Sequence, residues 1–358
     1  MKTSTDNWQI YSKASIILMG IVTLFYISFI GREILLPILF ATIIAILLNP
    51  VVNFLTKYKF NRVVAISLAV IVSIILIVGL AYFIVTQVAN LSETTPQFKE
   101  KFTALFHDCL RWSSKTSNIS KWKIQQWLDK TRVEGMNNST AVISYVLVSI
   151  TDALVLLLLL PVYIFMILFY KPMLLDFISQ LFKTERHDTV QEVLVEGKSL
   201  IQNYLIGLLI EASIVAALNS AGLLILGIQY AVLIGIVGAL LNMIPYIGGL
   251  VAISLPMLMA LATKEPINAV WVLVLYLLVQ FIDNNIIVPK IVASKVKVNA
   301  LVSIIVILIG GAMWGVAGMF LAIPITAILK VIFDRIPGLQ PIGFLIGDNQ
   351  PQIGKIDL

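Results

Sequence analysis

The hydrocarbon interior of a membrane is the constraint that most limits what this chain can become. Its sequence returns repeatedly to stretches such as ASIILMGIVTLFYISFI, Ala14 to Ile30, that carry no charged side chain. Inside a bilayer the backbone N–H and C=O groups of such a stretch meet no water, so they must bond to one another, as a helix allows. Composition agrees, because a chain of 358 residues that is 59% hydrophobic and 12% charged cannot present a soluble surface. The fold class that follows is an all-α polytopic integral membrane protein, with room for about six to eight membrane segments. One cysteine, Cys109, and two histidines leave little material for a disulfide framework, a zinc site or a cysteine–histidine catalytic pair. No cofactor and no metal are expected. The net charge of +6 reads as basic loops lying against anionic lipid headgroups, not as a nucleic-acid surface.

Full spans are expected at about residues 14–30, 34–55, 63–89, 142–170, 200–226 and 267–288. Lys2 and Lys13 precede the first, and no small-residue cleavage site follows it, which predicts a retained signal anchor. Between Asn90 and Thr140 hydropathy collapses. There Phe98, Phe102, Leu105, Phe106, Cys109 and Leu110 share one helical face, and Trp122 and Trp127 mark a weaker second helix, an amphipathic layer outside the membrane. His107, Asp108 and Cys109 are adjacent, but consecutive helix positions diverge and no catalytic geometry is signalled. After the fourth span, DFISQLFKTERHDTVQEVLVEGKS reads as an amphipathic linker. Its Gly197-Lys198-Ser199 is not a phosphate loop, because Glu192 stands where the first glycine is needed.

From Leu200 onward polar side chains lie inside membrane-length apolar runs. Tyr204, Glu211, Val215 and Asn219 fall near one face of the fifth span, and Tyr276, Gln280, Asp283 and Asn284 along one stripe of the sixth, which Pro289 is expected to end. Two intramembrane carboxylates are what a proton or cation relay needs. The plainer reading is that Glu211 and Asp283 pair with lysines or amides where helices touch.

Two further runs, Tyr230 to Thr263 and Asn299 to Ile332, do not fit as spans. As one helix each reaches about 51 Å against a core of roughly 30 Å, and halves of either fall short. Both are broken in the middle, by LLNMIPYIGG and by GGAMWGVAG, and one constant shift carries Tyr246 onto Trp314 and Pro256 onto Pro324. A re-entrant helical hairpin explains both. Hairpin geometry also gathers Lys290, Lys295, Lys297, Lys330 and Arg335 on one face with Lys57, Lys59 and Arg62, as the positive-inside rule asks. Each hairpin then follows a span, giving two units of opposite orientation, an inverted repeat. Asn242, Pro245, Tyr246, Gly248 and Gly249 form one tip and Gly310, Gly311 and Gly315 the other, where exposed backbone can approach substrate. The alternative is that these glycines only let helices pack closely. The expected divisions are 1–89, three spans; 90–140, the insertion; 141–199, a span and linker; 200–335, the transport core; and 336–358, a tail.

The segments GIQYAVLIGIVGALLNMIPYIGG at 227–249, QFIDNNIIVPKIVASKVKVNAL at 280–301 and GGAMWGVAGMFLAIPITAILK at 310–330 resemble the autoinducer-2 exporter family of bacterial membrane proteins. Asp283 stands where that family more often has glutamate, and Ala300 where proline is usual. The resemblance implies a homo-oligomeric transporter of the bacterial inner membrane that exports small molecules, autoinducer-2 among them for some members, while others act as sodium or lithium ion/proton antiporters. Coupling is then expected at Glu211 and Asp283, with Asn219, Gln280 and Asn284 beside them. Three functions remain open on sequence: an exporter of a small polar molecule, a cation/proton antiporter, and a non-transporting membrane scaffold. Enzyme activity is not expected, since no paired acid and base, zincin helix or dinucleotide loop occurs.

Overall fold

The computed structural model describes residues 3–93, 159–182, 187–244, 248–292 and 298–349. Among them the regular elements are helices, and the one strand-like feature is an isolated bridge between Val298 and Gly347. The amphipathic insertion expected between 90 and 140 lies almost wholly outside the described residues, as do Pro245, Tyr246, Lys295 and Lys297. Among the described residues six helices are long and apolar enough to cross a membrane: Arg32–Lys57, Arg62–Gln87, Leu159–Gln180, His187–Ile225, Pro266–Val292 and Ala300–Arg335. Their large apolar side chains face outward, Leu76 68% exposed and Ile225 86%, the reverse of a water-soluble helix and the arrangement lipid requires. The set differs from expectation in two members. Ser15–Ile30 falls among the shorter apolar helices, and Ala300–Arg335 is folded in its middle.

The described helices pack as two compact units, residues 1–62, 163–204 and 295–358 in the first, and 63–162 and 205–294 in the second. In the first unit α1 (Thr3–Ile30) leads into α2 (Arg32–Lys57) through Gly31 alone, with Gly31 N donating to Ile27 O and Leu35 N to Gly31 O. α3 (Arg62–Glu93) belongs from residue 63 on to the second unit; α4 (Leu159–Gln180) follows, and α5 (His187–Ile225) passes from the first unit into the second at residue 205. α5 runs unbroken through the expected boundary at residue 200, because the mixed-charge linker keeps helical spacing. At about 58 Å it outreaches a bilayer, and its charged beginning projects beyond the apolar part. The last long helix, α9 (Ala300–Arg335), bends at Trp314 and at Gly315, whose φ of 61° belongs to the left-handed region that glycine tolerates. There the chain doubles back. A Cβ on Gly310 would lie 3.2 Å from that of Ala322, whereas a straight helix would hold those residues roughly 18 Å apart. The Trp314 indole donates to Ser28 O of α1 at 3.0 Å, and Asn299, which caps Val302 N at 2.9 Å, also donates to Leu345 O and Gly347 O beside the short helix α10 (Gln340–Ile346). The beginning of the folded run is thus clipped to the chain that follows its end.

In the second unit α6 (Ala231–Asn242) and α7 (Gly248–Thr263) pack antiparallel. A Cβ on Gly248 would overlap the Leu241 carbonyl, and one on Gly238 would lie 3.7 Å from Ala252 Cβ. Their 12 and 16 residues span only about 18 and 24 Å, short of a bilayer. Gly227 comes within 3.1 Å of Lys264 Nζ through its Cβ position, so this run too begins and finishes at one end. Leu223, Ile234, Met259 and Val272 fill the core between the pair, α5 and α8 (Pro266–Ile282). Pro289 does not end that last helix. It lacks an N–H and crowds the carbonyl of the preceding turn, and the chain responds by widening into a π-helix over Asp283–Val292.

Candidate functional site

The polar residues that stood on separate segments of the sequence meet inside the second unit. Helical spacing alone aims Asn219 from α5, Tyr276 and Gln280 from α8 and Asp283 from the π turn that continues it along their respective stripes; the end of α6 supplies Asn242. Asn242 Nδ2 donates to Asp283 Oδ2 at 2.9 Å, a contact across 41 residues that ties the end of α6 to the start of the π turn. Asp283 is 2% exposed and Asn219 2%. Asn219, Asn242, Tyr276, Gln280 and Asp283, with apolar walls from Val215, Ala252 and Val279, line a small cavity with room for about one water molecule.

Three atoms there stand without a hydrogen-bond partner: Asp283 Oδ1, Asn219 Oδ1 and the Tyr276 hydroxyl. A buried polar atom left so costs about 1–3 kcal/mol, and polar groups in a membrane interior generally face a cavity or a partner for that reason. Gly238 makes the close approach possible, since its Cβ position is 3.2 Å from the Tyr276 hydroxyl. Gly249 does the same for α7, its Cβ position lying 2.8 Å from Gln280 Oε1 and 3.4 Å from Asn242 Oδ1.

Other residues singled out by sequence stand around this centre or apart from it. Glu211 is buried on α5, near enough to Asp283 for their charges to interact, but does not line the cavity. Asn284 is exposed and accepts from Gln280 Nε2 at 3.3 Å. Gly248 packs on Leu241. Gly310, Gly311 and Gly315 belong to the first unit, where Gly310 and Gly311 abut Gly318 and Met319 of the returning arm, while Gly315 has open space around it. Tyr276 was visible in sequence as part of a polar stripe, yet nothing there distinguished it from a helix-packing tyrosine. The partnership of Asn242 with Asp283 had no sequence signal, because periodicity says which face a residue occupies and not what that face meets.

Helices apolar on their outer faces around a buried polar centre define a multi-pass membrane protein. The chain belongs to the AI-2E transporter family, whose model matches residues 15–338. It is 25% identical over 327 residues to the AI-2 transport protein TqsA of Escherichia coli strain K12, covering 89% of this chain and 90% of that one. It is also similar to YueF of Bacillus subtilis strain 168, 26% identical over 317 residues with 84% and 83% of the two chains covered.

Proposed function

We propose that this protein is a secondary transporter of the bacterial cytoplasmic membrane, working as a homo-oligomer, that exports a small polar molecule in exchange for protons or cations. The hydrogen bond between Asn242 and Asp283 carries the reading. It joins the end of a helix pair too short to span the membrane to Asp283, a buried carboxylate that lines the cavity described above. α6 with α7, and the two arms of α9, are read as re-entrant hairpins within the 200–335 core. Support comes from Gly227 and Lys264, which lie together at the two ends of the first run, and from Gly310 and Ala322, which meet across the bend of α9. Protonation or cation binding at Asp283 gives its free Oδ1 a partner and loosens the hold on Asn242, so charge movement and opening of the break become one event. Glu211 feeds charge to Asp283 along α5. Autoinducer-2, named for the TqsA relative, is the first candidate solute.

A cation/proton antiporter is the second reading, favoured by the cavity itself, whose oxygen lining and size suit a small ion better than a furanone. Everted vesicles separate the two. Asp283→Asn and Glu211→Gln are expected to lower coupled flux about tenfold or more while leaving the protein in the membrane, roughly the effect of losing one essential charge. Sodium- or lithium-driven proton movement with no organic solute present selects the antiporter, and solute-dependent movement selects the exporter. Wild-type flux in both variants would overturn the coupling role and leave a scaffold.

A further inference from the structure

Away from that centre, in the first unit, basic side chains gather without acids. α4 carries Pro172, which has no N–H to return to Leu168 O four residues earlier. That carbonyl is taken instead by Arg62 Nη2 at 3.0 Å. One turn further on, Lys171 Nζ donates to Asn49 Oδ1 at 2.9 Å, and Lys198 of α5 is near enough for its charge to act on Lys171. Among the described residues no carboxylate pairs with Arg62, Lys171 or Lys198; the nearest acids along α5, Glu192 and Glu196, are both engaged by Arg335. Asn49 is 5% exposed, and its Nδ2, a donor on the same amide that holds Lys171, has no partner.

Gathering three cations and an idle donor is unfavourable unless an anion joins them. Depth indicates where that anion lies. Arg62 opens the apolar run of α3, its bond to Leu168 sets that turn of α4 at the same level, and Lys171 is the first charged residue of α4, with Asp176 following. This is the boundary between hydrocarbon and headgroups, the level of lipid phosphate.

We propose that Arg62, Lys171, Lys198 and the Asn49 amide form a phosphate-binding site at the membrane boundary, filled by the headgroup of an anionic phospholipid or by a soluble phosphate of the same chemistry. Arg62 and Lys171 supply charge from two helices, so the bound phosphate ties the start of α3 to α4 and α5. The site is independent of the transport reading.

The test uses the full-length protein in phosphatidylcholine nanodiscs, with phosphatidylglycerol added stepwise in one arm and inorganic phosphate at constant ionic strength in the other. Bound lipid is counted by native mass spectrometry and Tm followed in both arms. Wild type is expected to retain phosphatidylglycerol and gain Tm. Lys171→Gln and Lys198→Gln should each weaken retention about fivefold, the factor for about 1 kcal/mol per basic residue. Lys171→Arg should keep most of it, and Lys264→Gln should match wild type. A Tm gain from phosphate alone, lost in the same variants, assigns the site to a soluble anion. Lys198 makes no hydrogen bond among the described residues, so Lys198→Gln carries the test if Lys171→Gln fails to fold. Retention in Lys198→Gln equal to wild type, or no response to either phosphate source, overturns the proposal.

Discussion

Gly248 shows how narrow the tolerances are at the scale of one residue. A methyl group there would overlap the Leu241 carbonyl at the mouth of the α6–α7 break, and a backbone carbonyl cannot swing aside as a side-chain end can. Gly248→Ala is therefore expected to cost about 1–3 kcal/mol, read as a lowered Tm in detergent. Gly20→Ala, which meets nothing within 4 Å, is the control and should leave Tm unchanged. The residues of the polar centre were partly legible beforehand. An acid, an amide or a tyrosine inside an apolar run stands out by its cost, which is how Glu211, Asn219 and Asp283 declared themselves. Which of them touch was not legible: Asp283 sits against Asn242 and lines the cavity, whereas Glu211 stands outside it.

Among the elements, the π turn over Asp283–Val292 departs most from what the sequence suggested. Proline was expected to stop the helix. Instead the missing N–H is absorbed by a wider turn, and burial of Asp283, Ile287 and Val292 keeps the segment packed. Pro289→Ala restores the N–H and favours regular α-helix, which changes the direction of side chains on either side by a fraction of a turn. Tm is expected to hold or rise, while transport falls at least about threefold because Asp283 and Asn242 lose register; a variant with wild-type transport would make the π turn incidental to function. The helix pairs were legible in part: α6 and α7, at 12 and 16 residues, are each short of a bilayer, and the last long helix kinks at Trp314 and Gly315, inside GGAMWGVAG.

For the whole molecule the decisive quantity is sidedness. If both helix pairs enter and leave by one face, cysteines at Tyr230 and Lys264, in a chain whose Cys109 is replaced, should label from outside with a membrane-impermeant thiol reagent, and cysteines at Lys290 and Arg335 should not. Labelling of 230 and 264 from opposite sides would make the first run a kinked full span and remove the hairpin. The sequence by itself determined that this chain lives in a bilayer, where most of its long apolar helices lie, which family it resembles and which polar residues are out of place, because hydropathy and helical period are local and each is written in consecutive residues. Tertiary structure alone decided that Asn242 meets Asp283 and that Arg62 takes the carbonyl Pro172 leaves free. Each of these joins residues far apart in the chain, and a polar stripe on a membrane helix marks a face without announcing which residue of another helix will meet it.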